Sequence, residues 1–140
     1  MAGGVMHGQV TWVNGVTFVG ESGSGNSVVM EGGQKNNGIR PMEMILLGVG
    51  GCASYDVVGI LEKTRQDVVS CHVELKGHRP DAVPAPFEKI EMEFVVRGRD
   101  IKEKHVAKAV ELSAEKYCSA SIMLGKAGVE IVHTYRIEEA

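Results

Sequence analysis

Cysteine is the residue type in this chain best suited to covalent chemistry, and it occurs three times, at Cys52, Cys71 and Cys118. An odd count with no CxxC and no cysteine/histidine ligand spacing argues against both a disulfide framework and a zinc site, and points to free thiols in a reducing compartment. Cys52 lies inside an apolar segment, where a thiol ordinarily packs as a small hydrophobe; a reactive role there would compete with that reading. Cys118 falls between the end of one helical pattern and the start of the next. Exposed backbone N–H groups at such a junction can favour a thiolate, while burial as a packing residue remains the alternative. Cys71 alternates with Val73 and Leu75 on one strand face and reads as core.

The other candidates for chemistry are weaker. His72 and His78 project from the polar face of the Cys71 strand and read as solvated surface groups, and His7 and His105 make no better case. His133 shares a face with Ile131 and Tyr135 and is expected to be a hydrogen-bonded core histidine, so no metal is assigned. Gly48-Val49-Gly50-Gly51-Cys52-Ala53 matches GxGxxA, the signature of a dinucleotide-binding turn. Its context is wrong for that, because Pro41-Met42-Glu43 opens a helix rather than a strand and no crossover helix separates the strands that follow. Gly20-Glu21-Ser22-Gly23-Ser24-Gly25 lacks the Gly-Lys-Ser/Thr ending of a phosphate loop. No cofactor is expected.

The elements that must position these residues follow from periodicity and punctuation. Residues 9–13 and 16–19 flank Asn14-Gly15 as a tight hairpin, and a Gly/Ser-rich bend leads to a third strand at 27–30. After a polar loop, Pro41 opens a helix that can run to about Arg65, with Glu43 complementing its positive end. Its first half is apolar all round and rich in glycine, so neighbours are expected to pack on every side of it. Two strands follow, one carrying Cys71, Val73 and Leu75, the next Ile90, Met92, Phe94 and Val96. Asp100 with Glu103 resembles a capping box for a second helix that reaches Tyr117, Ser119 can cap a short third helix, and residues 129–137 alternate as a final strand.

Clustered strands in this order predict a single α+β domain over residues 1–140 with a mainly antiparallel sheet. One small sheet cannot cover a helix that is apolar all round, so its far side is expected to meet a partner subunit. A 44% hydrophobic, 24% charged composition is that of a soluble globular chain, and a net charge of −3 without a basic block argues against nucleic acid as a partner. The uncharged run at 44–55 is too short to cross a bilayer and no signal peptide is evident, so a cytoplasmic protein without membrane association is expected.

Taken together, Pro41-Met42-Glu43-Met44-Ile45-Leu46-Leu47, Gly50-Gly51-Cys52 and Glu115-Lys116-Tyr117-Cys118-Ser119 resemble the OsmC/Ohr family, named for osmotically induced protein C and organic hydroperoxide resistance protein, and within it the YhfA-like branch. The resemblance implies an OsmC-like fold and an intertwined homodimer with its long cysteine-bearing helices at the centre. It also implies a chemistry: Cys52 attacks an organic hydroperoxide, becomes a sulfenic acid and forms a disulfide with Cys118, which a dithiol such as a lipoyl protein then reduces. The alternative is a non-catalytic thiol redox sensor or apolar-ligand-binding dimer of the same fold.

Family members use an arginine to stabilise the thiolate and a glutamate near the helix start to hold it. Here Arg40 is the only arginine before Cys52, with Lys35 a further cation. Glu43 stands two positions after Pro41, and Met42 occupies the family's usual glutamate position. Nine residues of helix place Glu43 about 13–14 Å from Cys52 on the opposite face. It would serve the Cys52 of a partner chain, or it only stabilises its own helix. Asp56, one turn after Cys52, would oppose a thiolate when ionised.

Overall fold

The computed structural model describes residues 3–140, which form two compact units divided after Ile45. In the first unit β1 (Gly8–Asn14), β2 (Thr17–Ser22) and β3 (Ser27–Glu31) make an antiparallel meander. The hairpin differs by one residue from the sequence expectation. Asn14 pairs with Thr17, a bulge falls at Val13, and Gly15 and Val16 make the turn, Gly15 taking a positive φ of 51°. The Trp12 indole N–H donates to the Gly15 carbonyl at 2.9 Å, which pins that turn from outside. Beyond β3 the chain returns alongside it at Ile39, whose N–H donates to the Val29 carbonyl at 3.2 Å, and reaches Pro41, where α1 (Pro41–Lys63) begins.

The second unit holds most of α1, then β4 (Asp67–His78), β5 (Lys89–Arg99), α2 (Glu103–Leu112), α3 (Ser119–Lys126) and β6 (Glu130–Glu139). Its sheet has the order β4-β5-β6, antiparallel across the first pair and parallel across the second. The parallel pairing needs a long crossover, and residues 100–129 supply it with α2 and α3. β5 is the middle strand and the most deeply buried: Ile90, Met92, Phe94 and Val96 are all within 1% of complete burial. Against them pack Val49, Ala53, Val57 and Leu61 of α1 and Val106, Ala109 and Val110 of α2. Each large side chain in that set contributes roughly 1.5–3 kcal/mol of transfer free energy, so β5 and α1 together carry the core.

Among the described residues, packing covers α1 on one side only. A Cβ on Gly50 would lie 2.7 Å from a Leu75 methyl, whereas one on Gly48 or Gly51 would meet nothing within 4 Å. Leu47 and Tyr55 are exposed as well. The far side of the helix is therefore left open among the described residues, as expected of a helix that one small sheet cannot cover. At 23 residues α1 also outlasts the uncharged run, so by length and composition it could cross a bilayer. Its Val49, Ala53, Val57 and Leu61 serve instead as one side of a protein core.

Helix boundaries depart from local signals in three places. α1 stops at Lys63, with Arg65 in a left-handed conformation at φ 59°. Asp100 is no cap: it also has positive φ, its carboxylate pairs with Lys102, and Lys102 is the extended N-cap residue of α2, making no side-chain capping bond. The second helix does not run unbroken to Tyr117, because Ser113–Tyr117 form a π-helical turn.

Candidate thiol site

Cys52 sits on α1 beside Ala53, half-buried at the edge of the core. Cys118 reaches the same region from the other end of the chain. The π-helical turn delivers it: the Cys118 N–H donates to the Ser113 carbonyl five residues back at 2.8 Å, where an α-helix would bond four back. Ser113 is itself fully buried, and its hydroxyl donates to the Ala53 carbonyl at 3.3 Å and to Asp56 Oδ2 at 3.2 Å. The turn is thereby tied to the stretch of α1 directly after Cys52.

Cys118 then adopts an extended conformation and caps α3. Its Sγ accepts hydrogen bonds from the Ser121 N–H at 3.4 Å and the Ser121 hydroxyl at 3.1 Å. Ser119, expected from sequence to be the cap, is the first residue of the helix instead. Burial pushes the Cys118 thiol above its ordinary range, the two Ser121 donors pull it down, and the neighbouring Cys52 thiol pushes it up again. That influence of Cys52 on Cys118 operates only at close range. The fold has brought together two thiols 66 residues apart, both free.

The surroundings differ from the sequence reading in several respects. Burial raises the proton affinity of Asp56, opposed by its bond from Ser113, so the carboxyl is less ready to oppose a thiolate than an ordinary aspartate. It lines a cleft of about 530 Å³ with Tyr55, Gly59, Ile60, Leu112 and Tyr117, beyond the thiols toward the C-terminal half of α1. Cys71, opposite Val96, packs against the core as expected, and burial pushes its thiol up. His72 and His78 are exposed and paired with Glu74 and Glu91. His133 is a half-buried histidine with a backbone hydrogen bond at Ile131, as expected, while its Nε2 finds no partner among the described residues; desolvation lowers its pKa and the Ile131 bond opposes that. Among those residues no group of three His, Cys, Asp or Glu could hold a metal ion.

Arg40 and Glu43 meet each other, in the first unit. Glu43 Oε1 accepts the Arg40 backbone N–H at 2.9 Å, the reciprocal half of a capping box, and the Arg40 guanidinium donates to the Gly33 carbonyl at 2.8 Å. Within the chain Glu43 holds the backbone of Arg40 rather than its side chain. Ser113 and Ser121 were missed by the sequence reading. The signal for Ser121 was its position three residues after Cys118, where a cap residue's acceptor finds its donor.

The family model described as OsmC-like protein matches residues 32–134. The chain belongs to the OsmC-like family. It is 50% identical to Protein YhfA of Escherichia coli K12 over 135 residues, covering 96% of this chain and the whole of that one. The OsmC-like architecture recurs in solved structures. A hypothetical protein from Aquifex aeolicus VF5 is 30% identical with a TM-score of 0.87, over 98% of each chain. An organic hydroperoxide resistance protein from Elizabethkingia anophelis, 15% identical with a TM-score of 0.69 over 99% of each chain, shares the fold.

Proposed function

We propose that this protein reduces organic hydroperoxides with Cys52 as nucleophile and Cys118 as resolving thiol. The observation that carries the reading is the convergence of the two thiols, one half-buried and one fully buried, through the π-helical turn. The Cys52 thiolate forms an S–O bond with a peroxide oxygen as the O–O bond breaks, and the alcohol leaves after taking a proton. The Cys118 thiol attacks the resulting sulfenic acid, an S–S bond forms and water leaves. A dithiol supplies the two electrons that restore both thiols. The organic hydroperoxide resistance protein with the same fold supports this substrate class.

Arg40 and Glu43 are proposed as supporting residues at the start of α1. A second copy of the chain is the proposed cover for Leu47, Gly48, Gly51 and Tyr55 of α1, and the cytoplasm is the proposed location, where such thiols cycle in reduced form. The test is steady-state consumption of cumene hydroperoxide with dihydrolipoamide as reductant, alongside sedimentation velocity for the dimer. Multiple turnovers that require both Cys52 and Cys118 support the reading. A single oxidation without cycling favours a redox sensor of the same fold.

A further inference from the structure

The two sulfurs are unequal in ways that bear on the reductive half of the cycle. Cys118 is fully buried, while Cys52 keeps part of its surface exposed. Donors are also distributed unequally: the Ser121 N–H and hydroxyl, at 3.4 and 3.1 Å, both point at the Cys118 sulfur from the first turn of α3. Disulfide exchange requires an attacking thiolate to reach one sulfur in line while the other departs with the electron pair, and it is faster when the departing thiolate is better stabilised.

We propose that the reductant attacks the disulfide at Cys52, that Cys118 is the sulfur expelled, and that Ser121 is the catalytic residue whose N–H and O–H stabilise the charge left on that sulfur. The inference rests on the reading that Cys52 and Cys118 cycle through a disulfide. One thiolate of a dithiol forms an S–S bond to Cys52 as the Cys52–Cys118 bond breaks. Cys118 leaves with the bonding pair and rests against the Ser121 N–H and O–H until it takes a proton from water. The second thiolate of the reductant then attacks its own mixed disulfide, closing a cyclic disulfide and expelling Cys52. Two electrons move from dithiol to protein, and both cysteines end as thiols. Charge-assisted hydrogen bonds are the strong ones, so the two donors matter most while the sulfur is anionic. Burial, which otherwise disfavours that anion, raises the Cys118 thiol, and Ser121 is what opposes it.

The experiment begins with disulfide made by diamide, which needs no hydroperoxide. Brief exposure to 2-mercaptoethanol, an acid quench and peptide mass mapping should find the mixed disulfide on Cys52; an adduct mainly on Cys118 overturns the proposal, and this arm uses the unaltered chain. In Ser121→Ala, reduction of the disulfide by dihydrolipoamide should slow about tenfold, while iodoacetamide alkylation of Cys52 in the reduced protein keeps its rate. Unchanged reduction in that variant removes Ser121 from the step. If the adduct maps to Cys52 but hydroperoxide is never consumed, the peroxidase reading fails while this inference stands. Failure of diamide to link Cys52 to Cys118 overturns both.

Discussion

Cys118 and Cys71 are both cysteines against the same hydrophobic core, both pushed up by burial, yet their settings have little else in common. Cys71 is held by a strand whose register opposite Val96 fixes it among apolar neighbours. Cys118 stands at a break between two helical segments, where backbone geometry aims donors at the sulfur and a neighbouring helix brings a second thiol to it. Burial alone makes a cysteine inert. On the proposed reading, what equips Cys118, and not Cys71, to change oxidation state is polar company that stabilises its charge and a second thiol nearby.

The strongest way to break this comparison is to remove the nucleophile. Cys52→Ser should lower hydroperoxide consumption by at least about a thousandfold, measured as peroxide loss at saturating dihydrolipoamide. Cys118→Ser should cost turnover about a hundredfold, with the first equivalent of peroxide still consumed. Mass spectrometry of that variant should show Cys52 advancing beyond sulfenic acid as peroxide is added, since no resolving thiol intercepts it. Retained cycling in Cys118→Ser would mean that the convergence of the two thiols has no role in turnover.

A smaller effect sharpens the part played by the π-helical turn. Ser113→Ala leaves the Asp56 carboxylate without its donor and should destabilise the fold by about 1–3 kcal/mol in urea denaturation. The pH dependence has a definite sign. Folding raises the proton affinity of Asp56, so the folded state holds more protons than the unfolded one once pH exceeds the ordinary aspartate value of 3.8. The Asp56 contribution to stability therefore declines as pH climbs from there through its raised folded value. Asp56→Asn should abolish that component of the decline, observable as a flatter profile of melting temperature against pH. An identical slope in the variant would show that Asp56 titrates alike in both states.

Cys71→Ser marks the low end. It should change turnover by less than about twofold and stability by about 1 kcal/mol, from placing a hydroxyl where a half-buried sulfur packed. A large loss of activity at position 71 would erase the contrast between the two sites.

Much of this was legible without coordinates, and for local reasons. Alternation placed Ile90, Met92, Phe94 and Val96 on one face of β5. Pro41 and Glu43 marked the start of α1 because an orphan N–H and a dipole can be served by neighbours in sequence. The family and its α+β fold were readable from the motifs around Cys52 and Cys118. The local reading failed where neighbours in sequence lost to neighbours in space. Asp100 has the spacing of a cap, yet its backbone turns left-handed where β5 ends, and Lys102 opens α2.

The sequence by itself determined where the thiols stand, one inside an apolar helix and one at a helix junction, because hydrophobic period and capping signals act over a turn or two. Tertiary structure decided that they meet. Their approach depends on the parallel pairing of β5 with β6, whose crossover carries Cys118, and on one additional residue in a helical turn, held by a buried serine bound to α1. Contacts spanning 57 and 60 residues leave no periodic trace, since their stabilisation comes from groups that only folding brings within reach.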